Sequence, residues 1–88
     1  MTGNDILSNA IQLIQAGEKA TAQKLLEPYL RANPHDVTAW LWEARTYPSL
    51  ETRINVLERC LSYNPNHQQI LTVLAALNTQ RGHKLPNQ

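Results

Sequence analysis

The chain has 88 residues, enough for one small domain whose folding buries only about 60–65% of its unfolded surface. Eight Lys plus Arg stand against seven Asp plus Glu with no basic or acidic run, so no electrostatic footprint points to nucleic acid or an anionic membrane surface. The lone Cys60 excludes an intrachain disulfide and a cysteine-built zinc cluster.

The N-terminal stretch MTGNDILSNAIQLIQ lacks a basic segment followed by an uninterrupted apolar one, so it does not read as a signal peptide. No apolar run approaches the ~20 residues of a membrane span, and a reducing cytoplasmic setting is expected. The first helix is expected over about 5–16, with Asn4 or Asp5 as N-cap and Gly17 as a left-handed C-terminal cap. A second spans about 19–32. Its Pro28 removes a backbone hydrogen bond, so a bend or a late helix start is expected there.

The third helix, about 37–46, is capped by Asp36 in an Asn-Pro-His-Asp turn. In the fourth, about 50–63, Ser49 is the N-cap after Pro48, and Glu51 favours the positive end of the helix dipole. Cys60 has helical apolar neighbours in VLERCL and reads as a buried, inert thiol. The fifth helix covers about 68–80 and ends at Gly82, leaving residues 83–88 (HKLPNQ) as a polar tail or the start of a linker. Connections this short make neighbouring helices antiparallel, giving an all-α domain of five helices over residues 1–82.

The chain repeats. RANPHDVTAW and SYNPNHQQIL each place Asn-Pro between two apolar-periodic runs, with Pro34 and Pro65 separated by 31 residues. That shift sets Trp40 on Leu71 and Ala44 on Ala75, and a shift of 34 sets Ile6 on Trp40, Ala10 on Ala44 and Leu13 on Tyr47. A large residue, a small one four later and a large one three beyond share one helical face. On those residues, with Gly17, Ala22, Leu26, Pro34, Leu57, Pro65 and Gly82, the chain resembles the tetratricopeptide repeat (TPR) family over about two and a half units. The second unit departs from the pattern at TYPSLETR: it is three residues short, lacks the turn glycine, and has Arg53 in place of the second-helix alanine. The resemblance implies antiparallel helix pairs stacked as a short right-handed solenoid, with the fifth helix covering the exposed side of the second pair.

No catalytic constellation is legible. His35, His67 and His83 lack metal-ligand spacing, the serines lack a nucleophile elbow, and the three glycines form no phosphate loop. Glu43 precedes Arg45 by two, so those side chains point apart; Asp36, Glu51 and Glu58 are scattered as on a solvated surface. No enzyme activity, metal, cofactor or small-molecule substrate is expected.

What remains is surface apolarity. In TPR-like proteins the first helices of successive pairs line a concave groove that receives peptides or helices. By position the groove here would carry Asn4, Leu7, Ile11, Ile14, Thr38, Leu41, Trp42, Arg45, Gln69, Thr72, Val73 and Ala76. Leu7, Ile11, Ile14, Leu41, Trp42, Arg45 and Val73 are the expected partner-binding residues; Leu7 and Ile11 also fit ordinary core. Trp40 and Trp42 diverge by about 200° on one helix, so Trp40 belongs to the architecture and Trp42 to a partner surface. Some TPR domains grip the C-terminal carboxylate of heat-shock chaperones with lysines and asparagines. Here Leu7, Ile11, Trp42, Gln69 and Val73 occupy those places, without a cation. The expected function is therefore a non-enzymatic protein-interaction module for an apolar or amphipathic segment of another protein. The alternative is self-association of two copies.

Overall fold

The computed structural model describes residues 3–82, which are all-helical without a strand. Five helices follow one another: α1 (Gly3–Gln15), α2 (Lys19–Ala32), α3 (Val37–Arg45), α4 (Leu50–Tyr63) and α5 (Gln68–Gly82). The segment 83–88, with His83, lies outside the described residues. Within the described chain α1 packs on α2, α3 on α4 and α4 on α5, while α3 also touches α1 and α2. No helix here is long and apolar enough to cross a membrane.

The helix ends follow their side chains. Gly17 takes φ 87°, and the amides of Gly17 and Glu18 bond the carbonyls of Ile14 and Leu13. That is a Schellman closure, which favours glycine at the left-handed position. Asp36 accepts from the Ala39 amide and Ser49 from the Thr52 amide, so both expected N-caps are present. At α1 the expectation is corrected: the helix already includes Asn4 and Asp5, and Asp5 sits in its first turn. Helix α2 starts at Lys19 and continues through the exposed Pro28, so no late start occurs.

The two Asn-Pro turns open on the same cap geometry, although Asn66 takes φ 66° and its counterpart His35 does not take a positive φ. Asn33 has φ −133°, ψ 63° and Asn64 has φ −131°, ψ 65°, and each amide bonds the carbonyl four residues back, on Tyr29 and Cys60 respectively. Their side chains then diverge. Among the described residues, Asn33 Nδ2 bonds only the Tyr29 carbonyl of its own helix. Asn64 Nδ2 bonds the Cys60 carbonyl and also reaches across to the Pro34 carbonyl, 3.0 Å away. Trp40 Nε1 donates to that same Pro34 oxygen at 2.9 Å. One carbonyl in the α2–α3 turn therefore holds both α3 and the end of α4.

The core is a single cluster. Ala10, Ala22, Leu26, Ala39, Trp40, Ala44, Ile54, Leu57 and Cys60 are buried, with Ile70 and Leu74 contributed by α5. The alanines at 10, 22, 39 and 44 let helices approach closely, and Ile6 and Tyr47 close the face as half-buried residues. The repeat alignment fails on α5. Leu71 and Ala75, aligned with Trp40 and Ala44, are exposed, while Ile70 and Leu74 turn inward. Apolar residues surround much of α5, so its rotation is set by contact with α4 rather than by its own pattern.

The shortened second unit closes without a glycine. The amides of Thr46 and Tyr47 bond the carbonyls of Glu43 and Ala44, and the Thr46 hydroxyl also bonds the Glu43 carbonyl. Arg53 Nε then donates to the Tyr47 carbonyl at 2.6 Å. The arginine that departs from the repeat pattern thus fastens the tighter turn.

The unequal bonding of the two asparagines yields an expected difference under urea unfolding. Asn64→Ala should cost about 2 kcal/mol, because a cap bond and an inter-element bond are both lost. Asn33→Ala should cost about 1 kcal/mol or less, since only a cap bond goes. Equal losses would contradict the inter-element role of Asn64.

Candidate functional site

A groove of about 530 Å³ lies between α1, α3 and α5, with α4 as its floor. Helical spacing explains the lining. Leu41, Ala44 and Arg45 stand at i, i+3 and i+4 on α3; Gln69, Val73 and Leu77 recur every four residues on α5. Arg53 and Leu57 rise from α4, while Ile14 and Lys19 close the end formed by α1 and the start of α2. The lining is apolar along its length and carries three cations, Lys19, Arg45 and Arg53, with no carboxylate among them.

Four expected partner-binding residues meet in this groove: Ile14, Leu41, Arg45 and Val73. Three do not line it. Leu7 is half-buried and packs against the core, while Ile11 and Trp42 are half-buried outside the apolar set that does so. Trp42 is tied to the groove indirectly: the Arg45 guanidinium lies 4.8 Å from its ring centroid, a cation–π contact between residues three apart. Lys19, Ala44, Arg53, Leu57 and Leu77 line the groove but were not expected to. Lys19 and Arg53 sit on second helices, and only the packing of helices brings them to this side.

The face of α3 turned away from the groove holds Trp40 and Glu43, spaced i and i+3, with Tyr47 beside them in the turn that follows. Glu43 is 4% exposed, and its Oε1 has no hydrogen-bond partner among the described residues. Its carboxyl is raised above the ordinary value of 4.5, first by burial and then by the Glu27 carboxylate, with the Arg59 guanidinium opposing. The three-residue spacing from Trp40 was a signal that this acid shares the buried face.

Other reactive groups are restrained. Burial pushes the Cys60 thiol up to about 11, against the weak opposing bond from Asn64, which keeps it protonated and inert. The Tyr29 hydroxyl is pushed up to about 12 by its hydrogen bond to Asp36, with burial and the Asp36 charge adding to it. His35 is exposed, with Nδ1 3.3 Å from Asn64 Oδ1. His67 is half-buried, and its Nδ1 is buried without a partner among the described residues. No cluster of three or more His, Cys, Asp or Glu is arranged to hold a metal among the described residues.

No family model matches this chain, and no curated protein or solved structure was found to match it.

The raised Glu43 carboxyl makes stability depend on pH. The folded chain binds this proton more tightly than the unfolded chain. Its contribution is therefore fully present below the unfolded value of 4.5 and is lost as pH rises through the higher folded value. Glu43→Gln keeps the shape and removes the charge. At neutral pH it should be more stable than the wild type by about 1 kcal/mol, and in acid the two should converge. Urea midpoints across that range check this; a less stable variant at neutral pH would contradict it.

Proposed function

We propose that this chain is a TPR-like interaction module, a short right-handed solenoid of helix pairs with no catalytic role. It binds an amphipathic helix or extended segment of another protein whose apolar stripe is flanked by acidic residues. The observation that supports this reading is the lining of the groove: an apolar path from Ile14 through Leu41 and Leu57 to Val73 and Leu77, edged by Lys19, Arg45, Arg53 and the neutral Gln69, with no carboxylate. A ligand helix would present apolar residues at i, i+3, i+4 and i+7 to that path. Its carboxylates would meet Lys19 and Arg45, and the part of Arg53 not committed to the Tyr47 carbonyl. Trp42, under the Arg45 guanidinium, forms a broad apolar shoulder of the kind that concentrates binding energy.

The twin Asn-Pro turns with matching cap angles support the repeat reading, as does the contact between α1 and α3. Self-association of two copies is the second reading. Leu71 favours it, standing 40% exposed on the outer face of α5.

Selection of binders from a displayed library of helical peptides tests the groove. Recovered sequences should carry an apolar stripe with Asp or Glu beside it. Trp42→Ala should then weaken their binding by about 2 kcal/mol without unfolding the chain, and Arg45→Glu should select against the acidic flanks. Peptides that bind both variants as well as the wild type would refute the assignment. A mass by light scattering that rises with concentration, and falls back on Leu71→Ser, would instead favour the second reading.

A further inference from the structure

A second cavity, of about 250 Å³, opens between α2, α3 and α4 and shares no lining residue with the groove. Its walls include Glu27 and Arg31 from α2, Glu43 from α3, Tyr47 from the turn after α3, and Arg59 and Tyr63 from α4. It is roomy, at roughly eight times the ≈30 Å³ share of one liquid water. The cavity is therefore large enough for a side-chain head group.

Glu43 is the reason to assign it a ligand. This side chain is more than nine-tenths buried, lines the cavity, and leaves Oε1 without a hydrogen-bond partner among the described residues. A buried carboxylate oxygen without a partner is costly, so its natural complement is a charged donor. The chain's own cations do not supply one. Neither Arg31 nor Arg59 is ion-paired with Glu27 or Glu43 among the described residues. The Arg59 guanidinium instead lies 5.7 Å from the Trp40 ring centroid, and Tyr63 stacks on the same indole at 6.1 Å.

We propose that this cavity binds one organic cation, an ammonium or guanidinium head group, between the carboxylates of Glu27 and Glu43 beside the Tyr47 ring. The local field agrees with that assignment. The Tyr47 hydroxyl is raised first by burial and then by Glu43 and Glu27, and Arg59 only partly offsets them. Glu43 responds to the same two neighbours in the same directions. At this corner the two acids therefore outweigh Arg59. The site stands whether or not the groove binds a peptide.

An amide-resolved titration of the full chain tests it. The probes are a capped Gly-Arg-Gly peptide, a capped Gly-Lys-Gly peptide and butylammonium, at constant ionic strength with sodium chloride as the control. Saturable shifts are expected at the Trp40 indole N–H and the Glu43 and Tyr47 amides, while Leu41 and Val73 in the groove stay still. A peptide that binds more tightly than butylammonium identifies a polypeptide side chain as the ligand; equal binding identifies a free amine. Glu43→Gln should weaken binding by at least about tenfold, the loss of one charge-assisted bond. Glu27→Gln, at an exposed position, should weaken it less, and it carries the test should Glu43→Gln fail to fold. Absence of saturable shifts up to about 50 mM, far above a millimolar site, would overturn the proposal. Shifts undiminished in a folded Glu43→Gln or in Glu27→Gln would overturn it equally.

Discussion

The Pro34 carbonyl is the point on which the rest of the structure depends. It accepts from the Trp40 indole at 2.9 Å and from the Asn64 amide at 3.0 Å, so the α2–α3 turn, α3 and the end of α4 are fixed to one oxygen. Asn64 simultaneously closes its own helix on the Cys60 carbonyl. Trp40 is 2% exposed; its nitrogen needs an acceptor once it is buried, and this turn provides it. Satisfying that one donor sets the rotation of α3 about its axis.

The rotation of α3 decides what each neighbour becomes. With Trp40 inward, Ala44 follows it into the core and Glu43 is carried inside as well. Leu41 and Arg45 fall on the opposite side and line the groove, and Trp42 is left between the two faces under the Arg45 guanidinium. The two cavities are thus two sides of one helix. One is apolar with a cationic edge, the other polar around an unsatisfied carboxyl. A buried acid without a partner lowers stability, and such a group is retained more readily where a ligand uses it.

Local chemistry made much of this fold legible. Gly17, Asp36 and Ser49 announced their roles because capping depends on the residue and its immediate backbone. The Asn-Pro repeat was readable for the same reason, since each asparagine bonds a carbonyl four residues back. The rotation of α5 was not readable. Ile70, Leu71, Val73, Leu74, Ala75, Ala76 and Leu77 leave so wide an apolar arc that several phases fit, and only contact with α4 chooses Ile70 and Leu74. Of the candidate site, Ile14, Leu41, Arg45, Gln69 and Val73 followed from their positions in the repeat, whereas Ala44 and Leu77 on the same helices did not. Lys19 and Arg53 did not, because second-helix residues reach the groove only through the way helices pack. The burial of Glu43 was hinted at by its spacing from Trp40, but a charge in that position looks like surface until its neighbours are placed.

Hydrogen exchange at the two indole nitrogens tests whether the Pro34 carbonyl locks α3. Trp40 donates to the Pro34 carbonyl from within the core, whereas the Trp42 indole has no acceptor among the described residues. The Trp40 indole proton should exchange only with global unfolding, at the rate of the slowest core amides, while the Trp42 proton should exchange far sooner. Comparable, rapid exchange at both indoles would show that the turn does not lock α3, and the division of its faces would lose its cause.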